Sequence, residues 1–300
     1  MLRVMTWNIR TGGRDRDGTD RRDRIVSVVT AQRPDVLALQ ELRGLDRTLG
    51  GLAERTGLVP YLARSCFGQP VAVLVRPSLR VLRSGRVRRP FHHAAALVRV
   101  ATGAGPLTVF STHLNPWSGG RRRIEAGWLA AAVRRSGGEL AVLAGDLNTL
   151  EPAIDHTARL AGLAAAYRRR HLRRDGRTVD TRAVARLLDG GLVDLWPRAG
   201  GDGPGGLTVP TGHGGAEFAG MRLDYLLATP ALADRVRAVR VIRDAEADTA
   251  SDHYPLLAEL DLTPAALDQS RIFGSSRPAR APSSTSPSSG SASSRGRGRF

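Results

Sequence analysis

The stretch Leu140-Ala141-Val142-Leu143-Ala144-Gly145-Asp146-Leu147-Asn148-Thr149 decides how this chain is read. Five apolar residues in a row describe a strand covered on both faces, as found inside a layered core. Gly145 permits close backbone approach immediately before two polar side chains. If the backbone stays extended, Asp146 and Asn148 point the same way. Asp146 is then placed to orient or deprotonate an attacking water, and Asn148 to hold a phosphoryl oxygen. An Asx turn that closes the strand is the competing structural reading.

Polar residues close other apolar runs in the same manner. Working outward, the signatures are Ser111-Thr112-His113-Leu114 and Leu39-Gln40-Glu41 upstream, Thr6-Trp7-Asn8 near the start, and Arg222-Leu223-Asp224-Tyr225 and Ser251-Asp252-His253 downstream. Glu41 directly follows a buried strand, where an acid has no packing reason to be, and Asn8 can add an amide oxygen. Both are candidate ligands of a hard cation, which takes only one or two protein carboxylates when it is magnesium. His113 ends another apolar run and is a candidate donor to a phosphorane in the transition state. Asp224 can fix the tautomer of His253, as the acid does in an acid–histidine pair, leaving Asp252 to face the metal. Asn115, in the loop after His113, and the basic run Arg168-Arg169-Arg170 are candidate substrate contacts, the arginines through phosphates. Cleaving a phosphate ester requires neutralised phosphoryl oxygens, an in-line water and a stabilised leaving oxygen, and this residue set supplies each.

Apolar periodicity gives strands at 2–6, 36–41, 71–75, 81–87, 94–101, 107–113, 140–145, 221–228, 237–243 and 255–262, and helices at 22–32, 121–135 and 183–188. So many strands do not fit comfortably in one open sheet, which predicts an α/β chain with two packed sheets flanked by helices. One domain is expected over residues 1–262. Beyond it, 263–300 is a Ser/Pro/Arg-rich segment expected to be a disordered tail.

The chain has 300 residues, of which 41% are hydrophobic, enough for a substantial core. Its net charge of +17 comes wholly from arginine, since there is no lysine, and six of those arginines lie in the acid-free stretch from Arg271 onward. Such a bias fits either a GC-rich genome or a polyanionic partner. The single cysteine, Cys66, precludes an internal disulfide and a cysteine-ligated zinc, and is expected to be a small buried residue. A P-loop and a Gly-x-Ser-x-Gly nucleophile elbow are both missing. There is no evident secretory signal and no apolar run long enough to span a membrane, so a soluble cytoplasmic protein is expected.

Taken in order, the six signatures resemble the endonuclease/exonuclease/phosphatase superfamily, which includes deoxyribonuclease I, exonuclease III-type repair nucleases, inositol polyphosphate 5-phosphatases and neutral sphingomyelinases. The resemblance covers nearly the whole patterned region. It implies a four-layered α-β-β-α sandwich of two packed mixed sheets, deoxyribonuclease I-like, with the site at the strand ends. It further implies metal ligation by Asn8 and Glu41 with Asp252 close by, phosphate contact by His113, roles for Asp146 and Asn148 toward nucleophile and phosphate, and orientation of His253 by Asp224. Arg10 stands where the repair nucleases tend to place a second asparagine, and His92-His93 where many relatives have an arginine, which counts against abasic-site specificity. The expected activity is that of a divalent-metal-dependent phosphoesterase using Mg2+, with Mn2+ as an alternative, and most readily a nuclease acting on nucleic acid. A phosphatase or phospholipase-like hydrolase of an inositol phosphate or lipid headgroup is the alternative, and a noncatalytic nucleic-acid-binding protein a further one.

Overall fold

Two βαβ units set the architecture. In the first, β1 (Leu2–Asn8) and β2 (Val36–Gln40) run parallel and are joined by helix α1 (Arg22–Gln32). The second joins the parallel strands β7 (Leu107–His113) and β8 (Leu140–Asp146) through α3 (Gly119–Arg135). The computed structural model describes residues 1–65, 67–201, 206–214 and 217–263, with backbone alone for 45–48. Cys66 and the expected tail from 264 onward lie outside the described residues.

Each parallel pair is extended by antiparallel strands into a six-stranded mixed sheet. The first sheet has the order β11-β12-β1-β2-β4-β3, where β3 is Val59–Ala63, β4 Val71–Val75, β11 Val236–Val241 and β12 Leu256–Leu260. The second has the order β5-β6-β7-β8-β10-β9, with β5 Val81–Arg86, β6 Ala95–Val100, β9 Val193–Asp194 and β10 Asp224–Ala228. Val4, Val36 and Ala38 from one sheet meet Val109, Val142 and Ala144 from the other in a buried cluster between them.

Alternation along the strands sends the neighbouring residues outward. Met5, Leu37 and Leu39 pack against Ile25 and Val28 of α1, against Leu49 and Leu52 of α2 (Leu45–Thr56), and against Ala247 of a helix at Ala245–Ala250. On the other side Phe110, Ala141 and Leu143 pack beneath Ala126, Leu129 and Val133 of α3 and Val184 and Leu187 of a helix at Arg182–Leu188. The result is the four-layered sandwich.

Helix ends follow local chemistry. α1 stops at Arg33, which takes a left-handed φ of 47° and precedes Pro34, a residue that cannot continue the hydrogen-bond ladder. α3 begins after Ser118, whose hydroxyl accepts from the Arg121 amide at 3.3 Å.

Strands β3 and β9 and helix α2 were not expected from the sequence. Pro60 weakens the strand signal of β3, yet β3 is an edge strand, where a missing N–H is tolerated. Gly50 and Gly51 dilute the helical signal of α2. The expected strand 221–228 begins only at Asp224, with Met221 bridging instead to Val209.

Candidate active site

Both parallel pairs end at the same edge of the sandwich, and the register is alike in each. Asn8 lies opposite Gln40, and His113 lies opposite Asp146. Gly145 is required here. Its φ is +149°, and a Cβ added to it would sit 1.9 Å from the Thr112 carbonyl oxygen, so only glycine lets β8 approach β7 just before Asp146. Below the site, Gln40 donates to Ser111 at 3.2 Å and Ser111 donates to the Leu39 carbonyl at 3.2 Å, tying the two sheets together through buried polar groups.

Glu41 directly follows β2 in a left-handed conformation, φ 61°, which turns the chain away from the strand. It accepts from the Thr11 amide at 3.0 Å, Gln69 Nε2 at 2.7 Å and Asn8 Nδ2 at 3.2 Å. Burial pushes its pKa up, but His113 and these donors together outweigh that and leave it lowered.

Asp146 is the hub. Its Oδ2 accepts from Asn8 Nδ2 at 3.1 Å and lies 3.3 Å from His113 Nε2 and 3.8 Å from His253 Nε2. Oδ1 accepts from the Asn148 amide at 2.8 Å. Burial raises its pKa, yet the two imidazoles and the Asn148 amide hold it well below the ordinary carboxylate range. His253 Nδ1 lies 2.7 Å from Asp224 Oδ2. Burial alone would lower the pKa of His253, but Asp224 and Asp146 push it up to about 10. His113 is raised against burial by Asp146 and Glu41. Burial raises the pKa of Asp252, whose Oδ2 is 3.7 Å from Arg10 Nη1.

Asn8, Glu41, His113, Asp146, Asn148, Asp224, Asp252 and His253 are thus brought together. Asn148 arrives there through the Asx turn, the competing reading of this stretch, and not through an extended strand. Its φ is 49°, so the backbone turns rather than staying extended, and its amide closes onto Asp146 while Nδ2 donates to the Leu114 carbonyl at 3.1 Å. Asn115 stands apart. Its side-chain oxygen accepts from the Trp117 and Ser118 amides at 2.9 and 2.8 Å, which shapes the loop that presents Trp117. Of the three arginines, Arg170 lines the cleft and its guanidinium carbon sits 4.4 Å from the Trp117 ring centroid, whereas Arg168 and Arg169 do not line it.

Three contributors escaped the sequence reading. His93 stacks on His113 with ring centroids 3.9 Å apart and planes 7° from parallel. Burial, then the neighbouring imidazoles, lower its pKa to about 2, and its Nδ1 accepts from the Gln69 amide at 2.8 Å, so it is a neutral ring with its proton on Nε2. Gln69 links that ring to Glu41. Glu125, buried on α3, accepts from the His92 amide at 2.7 Å and the Asn115 amide at 2.9 Å. The His92-His93 pair was visible in the sequence as a departure from relatives, but nothing local signalled Gln69 or Glu125. The cleft encloses about 550 Å³, within the range of small-ligand sites.

The sequence profile of the Endonuclease/Exonuclease/phosphatase family matches residues 5–253. The chain belongs to the endonuclease/exonuclease/phosphatase family. No protein with a curated description matches it. This family member is similar in fold to an AP endonuclease from Archaeoglobus fulgidus (20% identity, 87% of this chain and 100% of that one, TM-score 0.63). It is also similar to a mannosyl-6-phosphatase from Bacteroides thetaiotaomicron (18%, 87% and 100%, TM-score 0.65) and to truncated TDP2 from Caenorhabditis elegans (22%, 86% and 96%, TM-score 0.60). No helix among the described residues is long and apolar enough to cross a membrane.

A divalent cation fits this endonuclease/exonuclease/phosphatase site. Asp146, Asp224 and His253 offer ligand atoms within 4.8 Å of one another, and Asp224 Oδ1 is buried with no hydrogen-bond partner. The 2.7 Å contact between Asp224 and His253 Nδ1 nevertheless describes a hydrogen-bonded pair, which leaves that nitrogen unsuited to bind metal. The harder oxygen donors are on the other side of Asp146, where Asn8 Nδ2 bridges Glu41 and Asp146. Turning the Asn8 amide over would present its oxygen at the same place.

Proposed function

We propose that this phosphoesterase is a magnesium-dependent nuclease that cleaves phosphodiester bonds, with manganese as a substitute. The observation that carries the reading is Asp146 Oδ2, held by one amide and faced by two imidazoles at 3.3 and 3.8 Å. An ionised carboxylate so placed accepts a proton from, or orients, an attacking water. His113 and His253, both pushed toward the charged form, donate to phosphoryl oxygens as charge builds up. Asp224 holds the His253 ring so that Nε2 faces the reacting atoms. Glu41, Asn8 and Asp252 would hold the cation, which supplies neutralisation of phosphoryl charge and a water of lowered pKa. Asn148 gives the phosphate a further polar neighbour at the cleft wall.

A nucleic acid is favoured over a small phosphomonoester by the cleft mouth. Trp117 is 60% exposed beside Arg170, and Phe67 is 73% exposed across the same cleft, an arrangement suited to stacking bases while a cation meets the backbone. The fold shared with a mannosyl-6-phosphatase supports the second reading, a phosphatase of a sugar or inositol phosphate. Purified protein should be incubated with plasmid DNA, RNA, an abasic duplex, mannose 6-phosphate, an inositol polyphosphate and sphingomyelin, each with magnesium and with chelator. Metal-dependent scission of DNA or RNA, abolished by Glu41→Ala and by His253→Ala, is expected. Release of inorganic phosphate from the monoesters with intact polynucleotides would replace the nuclease by the phosphatase, and polynucleotide binding that survives chelation with no product from any substrate would leave a noncatalytic binder.

A further inference from the structure

Five arginines crowd the outer face of the second sheet with no carboxylate among them. Arg83 on β5, Arg88 and Arg89 just after it, Arg99 on β6 and Arg135 at the end of α3 line one recess of about 330 Å³. Its floor is apolar, made by Val87, Leu97 and Phe110. Arginines on other faces of the protein meet acids, as Arg76 meets Asp35 at 2.8 Å and Arg182 meets Asp180 at 2.6 Å. Arg83, Arg88, Arg89 and Arg135 are exposed and form no ion pair among the described residues. Arg99 Nε and the hydroxyl of Thr108, which is 1% exposed, are buried at this recess without partners. Like charges held together repel, and unpaired guanidinium groups are the side chains best matched to phosphate oxygens.

The recess and the catalytic cleft are neighbours, with one hollow between them. This hollow shares Val87, Arg88 and Arg89 with the recess and shares Phe67 and His93 with the cleft. Along β6, from Ala95 beside the site to Arg99 in the recess, the path covers about 13 Å at the usual rise per strand residue. That reaches beyond a single phosphate, since charges along one strand of a duplex recur about every 3.4 Å.

We propose that this arginine track is a second substrate-binding surface, which holds the backbone of a polynucleotide strand running away from the scissile phosphate. A cationic wall over an apolar floor is the chemistry of single-strand binding. The proposal rests on the nuclease reading for the identity of its ligand.

The test uses the full chain and the triple variant R83E/R88E/R89E, with R16E/R24E/R33E, on and around the α1 helix that covers the first sheet, as a control of equal charge. Binding of a fluorescein-labelled thirty-nucleotide single strand is followed by anisotropy in chelator over a range of salt. Turnover of the same strand and of bis(4-nitrophenyl) phosphate is followed in magnesium. The track triple should raise Kd and KM for the strand at least about ten-fold, flatten the log Kd against log salt slope by about 2, and leave bis(4-nitrophenyl) phosphate turnover unchanged. Equal losses in the two triples, no loss in the track triple, or no binding by the wild type overturns the track. Wild-type protein that binds the strand through these arginines but never cleaves a polynucleotide would instead overturn the nuclease reading and leave the track in place.

Discussion

His93 and His113 stack face to face, ring centroids 3.9 Å apart, and only one of them faces Asp146. The neutral His93 ring supports His113, whose pKa Asp146 and Glu41 raise against burial, from behind, and through the Gln69 amide it also steadies the side chain that donates to Glu41. His93→Ala removes the stack and leaves the Gln69 amide without its acceptor, a loss of about 1–3 kcal/mol. The expected outcome is a kcat reduced more than about ten-fold with a smaller change in KM, partly restored in His93→Asn. Steady-state kinetics on the best substrate checks this, and an unchanged kcat would show that the stack does no positioning.

Gly145→Ala should be the most damaging single methyl group in the molecule. The added carbon would lie 1.9 Å from the Thr112 carbonyl oxygen, and both partners belong to paired central strands. A loss of at least about 3 kcal/mol is expected from overpacking at an unrelieved backbone contact. Gly85→Ala, in an exposed edge strand with nothing within 4 Å, should change stability by less than about 0.5 kcal/mol. Urea denaturation of the two variants compares them directly.

The contrast between these two glycines shows what the sequence made legible. Gly145 stood out because it interrupts an apolar run directly before Asp146, and the polar residues closing the other runs reported the same edge of the sandwich. Residues whose place depends on distant partners left no such trace. Gln69 matters only because β2 delivers Glu41 beside it, and Glu125 looks like one more helix-surface acid until two loops are seen to close over it. At Asn148 local patterning leaves alternation and an Asx turn both open, and the structure takes the turn, while at α2 paired glycines conceal a helix stabilised by Leu49 and Leu52 against the sheet.

His171 should make the protein sensitive to acid. Burial, then the charges of Arg122 and Arg170, lower its pKa to about 4, so it is neutral in the folded state. Above the unfolded value near 6.5 both states are neutral and nothing is gained or lost. Below it the unfolded chain binds a proton that the folded protein refuses, and stability falls as pH drops from about 6.5 to about 4. At pH 4.5 this single group should cost about 2–3 kcal/mol, a penalty that His171→Gln removes. Denaturation at pH 7 and pH 4.5 in both proteins measures the difference, and parallel losses would assign the acid sensitivity elsewhere.

If charged His253 takes part in the reaction, Asp224 should set the alkaline limit of activity through it. The folded pKa of His253 is raised to about 10, so the charged ring is present below that value and is lost as pH rises through it. Asp224→Asn leaves Asp146 and, more weakly, Asp252 as the carboxylates still acting on the ring, while burial favours the neutral form. The upper limb of kcat/KM against pH should therefore move down by at least about 2 units, with activity partly retained at neutral pH. An upper limb that stays in place would remove charged His253 from the reaction.

Glu125 ties the catalytic edge to the helix layer. Its carboxylate, fully buried on α3, accepts from the His92 amide on one side and the Asn115 amide on the other, so one acid orders both the loop carrying His93 and the loop presenting Trp117. Glu125→Ala strands two amides and should cost about 2–4 kcal/mol of stability. Glu125→Gln keeps one acceptor but turns an NH2 toward the second amide, so it should recover only part of the loss. Activity provides the discriminating measurement. If the acid positions the loops, Glu125→Gln should lower kcat and raise KM at a temperature where denaturation curves show it fully folded. Normal kinetics in folded Glu125→Gln would confine the residue to stability alone.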